Sequence, residues 1–151
     1  SAASDVYKRQ AITAFTVMAM LRNSPKIPLS KVALLMPILL DDHIINKMIS
    51  RNYANFDSVI TQNKVYLSNF NNRYVDLLPQ VVNAISILLD LNWVSLYGEF
   101  VKVENAASCE SILSKCDSNR LRNICAASSI LLKLVNDSDI VNDYRKLNIE
   151  L

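Results

Sequence analysis

The stretch that decides the fold is PQVVNAISILLDLNWVSLYGEFVKVEN, residues 79–105, because its apolar periodicity changes partway along. The first half has apolar residues close to helical spacing, at Val82, Ile85, Leu88 and Leu89. The second half places β-branched, aromatic and aliphatic residues on either side of Gly98, the single glycine of the chain. This pattern predicts a helix followed by a β-hairpin that turns at Gly98 and Glu99.

A second helix is predicted just before this stretch. Ser68 is placed to cap NFNNRYVDLL, residues 69–78, and Pro79 suits the first position of the next helix. Helix, turn, helix and hairpin follow one another in the order of a winged helix. We therefore predict a winged-helix-like centre over about residues 55–104, formed by a helix-turn-helix plus one β-hairpin.

The remaining segments predict helices, so the fold class is mainly α. Residues 11–22 are apolar nearly all round and indicate a buried helix. Ser30 is expected to cap a second helix, which Pro37 kinks or splits near Leu35.

Polar residues mark the starts of the later helices. Asp41 and Asn55 are expected to be N-caps, and either Asp117 or Ser118 caps the long helix that follows. The C-terminal helices are expected over about residues 117–147, the last of them being DIVNDYRKL, residues 139–147. Residues 106–116 form either a short helix or a loop.

The first ten residues, SAASDVYKRQ, suit neither a helix nor a strand. Written as codons, they match in one frame a transposon-end adapter used to tag DNA for sequencing. We interpret residues 1–10 as translated adapter, expect some of the natural N-terminus to be missing, and give these ten residues no function. The native part is then a single helical domain over residues 11–151.

Composition excludes several classes of function. One glycine cannot build a glycine-rich phosphate loop or a dinucleotide fingerprint. The net charge of +2, or +1 without residues 1–10, is too small to indicate a nucleic-acid-binding protein. The apolar runs are too short to cross a bilayer, so no membrane partner is expected.

The cysteines and the single histidine do not form a pattern typical of catalysis or metal binding. Cys109, Cys116 and Cys125 lack metal-site spacing and indicate buried structural thiols in a reducing cytoplasm. His43 follows Asp41 and Asp42, but adjacent helical residues point in different directions. We therefore expect no metal, no cofactor and no enzymatic activity.

Direct DNA binding is not favoured by the charges of the predicted centre. The second helix should present Arg, Lys, Asn or Gln to base edges, yet residues 79–92 contain neither Lys nor Arg and include Asp90. The hairpin adds only Lys102. A degenerate winged-helix transcriptional regulator that binds DNA stays open as the alternative to a protein-docking function.

The order of segments is similar to that of a known family. IPLSKVALLMPILLDDH, residues 27–43, resembles the proline-containing segment of one class of middle component of the prokaryotic three-component ABC systems. RYVDLLPQVVNAISILLDLNWVSL, residues 73–96, resembles that family's central helices and hairpin, and residues 118–151 resemble its last two helices. The chain departs from the family pattern at Leu134 and Asn148, where the family has an aromatic residue and a glycine.

The resemblance implies a function that does not involve catalysis. It implies a cytoplasmic, non-catalytic adaptor that links an SMC-like ABC ATPase to an effector protein in a prokaryotic conflict or phage-defence system. Both proteins are expected from the same operon. The positions that it singles out, as structural or docking residues, are Pro37, Leu40, Trp93, Gly98, Ala127, Lys133 and Tyr144.

Overall fold

The computed structural model describes residues 2–114, 118–135, 142 and 145–147, with residue 108 described by its backbone alone. The described residues are mostly helical and include one small antiparallel sheet, which confirms the mainly α prediction. The helices are α1 (Ala2–Asn23), α2 (Leu29–Leu39), α3 (Asp42–Ser50), α4 (Phe56–Gln62), α5 (Lys64–Leu67), α6 (Phe70–Asp90), α7 (Ala106–Ser114) and α8 (Asn119–Val135). The strands are β1 (Lys26–Pro28), β2 (Val94–Tyr97) and β3 (Phe100–Val103).

The predicted hairpin is confirmed, and its turn is the predicted one. Strands β2 and β3 pair antiparallel, and the Tyr97–Phe100 pair closes a two-residue turn at Gly98 and Glu99. Gly98 has a φ of +60°, whereas Glu99 has no positive φ. Such a turn has glycine at its first central position, because this conformation is strained for residues with a Cβ.

A third strand was missed by the sequence analysis. Strand β1 pairs antiparallel with the other edge of β3, with Ile27 opposite Val101, so the sheet order is β1-β3-β2. Three residues that end in a proline have no alternating pattern of their own. Their partner lies far along the chain, and a local pattern cannot indicate such a pairing.

The predicted helix boundary at Pro79 is wrong. A single helix, α6, runs from Phe70 to Asp90 with Pro79 inside it. Its buried residues continue on both sides of the proline, from Phe70 to Leu88, and the helix packs along α1 and α2. This burial outweighs the roughly 3 kcal/mol that an interior proline costs, and Pro79 itself is exposed.

The predicted cap of this helix is also wrong. Ser68 directs its hydroxyl to the carbonyl of Val65 at 3.1 Å and therefore does not cap the following helix. The N-cap position is occupied by Asn69, whose side chain makes no capping hydrogen bond.

Helix α2 differs from the prediction at both ends. Ser30 lies within the first turn, and the residue before the helix is Pro28, which makes no side-chain cap. The backbone N–H of Leu29 donates to the carbonyl of Glu99 at 2.8 Å, so the hairpin turn satisfies one of the N–H groups that have no partner within the helix. The helix is not split near Leu35 but passes through Pro37 and ends at Leu39.

Three other predicted caps are confirmed. The Asp41 carboxylate accepts from the N–H of Ile44 at 3.0 Å, and the Asn55 side chain accepts from the N–H of Ser58 at 2.9 Å. For α8, the Ser118 alternative holds, because its hydroxyl accepts from the N–H of Leu121 at 3.1 Å. A capping side chain acts on a backbone N–H within three residues, so a local sequence pattern can indicate it.

Helix α1 begins earlier than predicted. Residues 2–10 continue the helix outward from the core, and all but the last of them are exposed. Ala, Lys, Arg and Gln all favour helix, so an existing helix extends through them at little cost. The expectation that this segment suits no helix is wrong, whereas its origin as translated adapter stays a prediction.

The core is organised around the second half of α1. Residues 16–21 are buried, as predicted for this apolar segment, and α1 packs against α6, α7 and α8. Residues 32–39 of α2 are buried as well, and α2 packs against α6 and α3. Burial of these aliphatic side chains supplies the main free energy of folding.

The C-terminal prediction is tested only in part. Residues 106–116 follow the short-helix alternative as far as Ser114. The predicted helix over residues 139–147 lies mostly outside the described residues, although Leu147 is buried in the core and Lys146 pairs with Asp57 at 2.6 Å. Within the described part of the chain, no helix is long and apolar enough to cross a membrane.

Candidate docking surface

Pro37 lies at the junction of α2 and α3, where Arg73 of α6 joins several elements. The Arg73 guanidinium donates to the carbonyls of Pro37 and Tyr66, at 2.8 and 2.9 Å. It also lies 3.2 Å from the Asp41 carboxylate, whose other oxygen caps α3. Because the Arg73 and Asp41 side chains are only 30% and 15% exposed, this contact is better shielded from solvent than an ordinary surface ion pair.

Leu40, the C-cap residue of α2, lies in a similar contact on the other side of the junction. The Arg120 guanidinium of α8 donates to the Leu40 carbonyl at 3.4 Å and to the Asp42 carboxylate at 3.2 Å. Cations are favourable at the carbonyl end of a helix. Pro37 and Leu40 are thus brought together at a junction held by two arginines.

Trp93 and Gly98 lie at the two ends of the β2 segment. Trp93 follows Asn92, which has a φ of 59°, and its N–H donates to the Leu88 carbonyl at 3.0 Å while that of Asn92 donates to the Leu89 carbonyl at 3.0 Å. These are the paired bonds of a Schellman motif, which ends α6 and packs the partly buried indole on the core.

The three remaining positions lie in the C-terminal part of the chain. Ala127 is fully buried on α8, whereas Lys133 is exposed in its last turn. Tyr144 lies outside the described residues. A docking role for any of these seven positions stays a prediction.

His43 is not near a set of metal ligands. Its exposed ring stacks on Tyr66, with centroids 5.0 Å apart, and the Lys47 ammonium lies 4.7 Å above the same Tyr66 ring. Asp41 and Asp42 pair with arginines instead. Among the residues that the structure describes, no three His, Cys, Asp or Glu side chains come together as a metal site.

Cys109 confirms the prediction of a buried thiol. Its Sγ–H donates to the carbonyl of Met18 at 3.4 Å inside the α1–α7 contact. Burial, reinforced by the charge of Glu110 and opposed by that of Arg22, raises the pKa of the Cys109 thiol. The protonated thiol is therefore favoured, which lowers its reactivity. Cys125 is a partly buried thiol, and Cys116 lies outside the described residues.

An open apolar groove of about 390 Å³ lies between α2 and α6, beside the turn of the hairpin. We call this surface the α2–α6 groove. Side chains of α2 and α6 form its walls, and the turn closes one side. Its lining includes Leu29, Ala33, Tyr74, Leu78, Val82 and Glu99.

A stripe of apolar residues on α6 extends the groove along the surface. Val75, Leu78 and Val82 are spaced i, i+3 and i+7 and so lie on one side of the helix. Val75 is 52% exposed and Val82 57% exposed, although Val82 belongs to the apolar pattern that predicted this helix. On α6 it is Val81 that enters the core. Contiguous exposed apolar surface is typical of interaction sites in proteins.

The groove carries one negative charge. Glu99 is the charged residue among the described residues that line it. The only cation of α6 is Arg73, which is paired with Asp41. The sequence analysis missed this groove because it is assembled from three separate segments. The available signal was a second apolar stripe on α6 beside the core stripe.

Comparison with known proteins was made at three levels. Neither the curated proteins nor the solved structures gave a match to this chain. A model of one protein family, described as MC3, the ABC-three component (ABC-3C) system Middle Component 3, matches residues 10–151. The match confirms the resemblance drawn from the sequence, and the chain belongs to the family of middle components of ABC-three component systems.

Proposed function

We propose that the chain is a non-catalytic, cytoplasmic adaptor that links an SMC-like ABC ATPase to an effector protein in a phage-defence or related conflict system. Membership of a middle-component family supports a role within such a system. The observation that carries the adaptor proposal is the α2–α6 groove, an apolar and open surface beside a folded core. Burying such a surface against a partner is favourable because it removes apolar area from water.

The two helices predicted on either side of Pro79 are the single helix α6, so the predicted helix-turn-helix is not formed there, but other elements support a winged-helix-like interpretation. The sheet order β1-β3-β2 and the position of α6 directly before the hairpin are features of that arrangement. In this interpretation α1, β1, α2, α6 and the hairpin form the unit, and α3 to α5 are inserted between α2 and α6. Helix α6 then takes the place of the reading helix and presents valines rather than cations, which suits a protein partner.

The mechanism that we propose is mechanical coupling. The walls of the groove are fixed to the body of the molecule by Arg73, which joins α6 to the α2–α3 junction. Movement of a subunit docked in the groove therefore displaces the whole body. In this mechanism the chain binds its partners and holds them in position, and the ATPase hydrolyses ATP.

Direct binding tests the proposal. The purified chain is immobilised, and the ATPase and effector chains encoded beside its gene are added separately in biolayer interferometry. The adaptor proposal predicts that both bind with dissociation constants in the micromolar range or tighter. Absence of binding of either protein at about 100 µM would contradict it.

One observation favours the alternative, a degenerate winged-helix regulator. Lys26 of β1 lies near Lys102 across the sheet register, and its ammonium sits 4.2 Å from the Phe100 ring and 5.2 Å from the Tyr97 ring. The three-stranded sheet thus carries two lysines, Lys26 on β1 and Lys102 on β3, one more than the hairpin sequence alone indicates. A gel shift on mixed-sequence duplex DNA at low salt separates the alternatives, because phosphate-driven binding is strongest there. The adaptor proposal predicts no shift.

A further inference from the structure

We propose that the α2–α6 groove receives an amphipathic helix from a partner subunit, and that Lys or Arg residues flank the apolar stripe of that helix. This inference rests on the proposed adaptor function and adds the chemistry of the partner. It assigns the groove as the docking site and charge as the source of selectivity.

The form of the groove suits a helix. Two of its walls are themselves helices, with Leu29 and Ala33 on α2 and Leu78 and Val82 on α6. A third helix packs between two such walls by inserting side chains spaced three and four residues apart. Val75 extends the apolar wall by one further turn, so that it presents Val75, Leu78 and Val82 in succession.

Hydrogen bonds tie the walls of the groove to one another. The Leu29 N–H to Glu99 carbonyl bond, 2.8 Å long, fixes the turn to the start of α2. At the other end of α2, Arg73 fixes the Pro37 carbonyl to α6. A preformed groove avoids the entropy that is lost when a mobile surface orders on binding.

The charge at the groove indicates the sign of the charge on the partner helix. Glu99 is the charged residue among the described residues that line the groove, and it is exposed. Lys26 and Lys31 do not line the groove but a separate pocket, where Lys31 donates to the Val135 carbonyl at 2.8 Å and Lys26 lies over the Phe100 ring. A helix with basic residues beside its apolar stripe complements this surface, whereas an acidic helix is repelled.

Substitutions of Glu99 test the sign of the charge on the partner helix. The probes are the ATPase and effector chains of the same system, and the inference concerns the one of them that occupies the groove. For that partner, we expect Glu99→Gln to weaken binding about threefold and Glu99→Lys about tenfold. Glu104→Lys is the matched control, because Glu104 is exposed just beyond β3 and is not among the groove residues. It should leave the affinity unchanged.

Polar substitutions on α6 test the location of the docking site. Val82→Gln should weaken binding of the same partner about tenfold, because it places a polar group against the apolar stripe. Ile87→Gln is the control, since Ile87 is 40% exposed on another face of the same helix. Circular dichroism and thermal unfolding verify that all variants keep the fold.

The possible outcomes separate the inference from the adaptor proposal. If both partners bind the wild-type chain and neither responds to Glu99→Lys or Val82→Gln, the adaptor proposal stands and the groove assignment is overturned. Tighter binding by Glu99→Lys would show an acidic occupant and would also overturn the inference. If neither partner binds the wild-type chain, both proposals fail together.

Discussion

At the residue scale, Asn92 holds a conformation that few residues tolerate. Its φ of 59° lets the Schellman motif end α6 and direct the chain into β2. We predict that Asn92→Ala lowers the free energy of unfolding by about 1 kcal/mol, because alanine is strained in the left-handed region, and that Asn92→Gly does not lower it. Urea titration measures both changes. Asn83→Ala, at an exposed position within α6, is the control and should not lower stability, because alanine favours a helix more than asparagine does. Equal stability of Asn92→Ala and the wild type would contradict the assigned role.

The buried Cys109 thiol leads to a second prediction at the residue scale, which concerns how the free energy of unfolding depends on pH. Burial raises the pKa of its thiol, so above about pH 8.5 the unfolded chain loses this proton while the folded chain keeps it. The folded state then binds more protons, and the free energy of unfolding falls as the pH rises through this window. We predict that urea titrations at about pH 7.5 and pH 9.5 show a larger fall for the wild type than for Cys109→Ala. Parallel falls in the two proteins would contradict the prediction.

At the element scale, Pro79 distinguishes one helix from two. Within a continuous α6, its missing N–H and its ring weaken the helix, so Pro79→Ala should raise the free energy of unfolding by up to about 3 kcal/mol. At the first position of a separate helix, as the sequence suggested, the same change would bring no gain. Pro25→Ala, in the exposed segment before β1, is the control and should lower stability by less than about 1 kcal/mol. Thermal and urea unfolding decide between the two possibilities.

The elements also show what a sequence pattern can reveal. Asp41, Asn55 and Ser118 were located correctly because a cap acts on a backbone N–H within three residues. Strand β1 was missed because its partner strand is remote in the chain. Helix α6 was divided because local preference at Pro79 was given more weight than packing against α1 and α2, which depends on the tertiary fold.

The candidate site was predictable only as a collection of positions. The family pattern pointed to Pro37 and Leu40, and the structure shows both carbonyls bound by arginines at the α2–α3 junction. The groove was not predictable, because Leu29, Val82 and Glu99 meet only after α2, α6 and the hairpin have packed. Its apolar stripe on α6 resembles core until the fold shows which side faces solvent.

At the scale of the whole molecule, the architecture suits a rigid link. Helix α1 runs through the core and packs against α6, α7 and α8, and α8 packs against α3. A load applied at the α2–α6 groove is therefore shared by most of the described helices. Rigidity of this kind allows a small subunit to transmit the position of one partner to another.

The most direct test of the adaptor proposal is the molar mass of the assembled mixture. The ATPase and effector chains that we propose as partners are mixed with and without this chain and analysed by size-exclusion chromatography with light scattering. The proposal predicts one peak containing all three proteins when the chain is present, and separate ATPase and effector peaks when it is omitted. An ATPase–effector complex that forms equally well without the chain, or a chain that elutes alone, would contradict it.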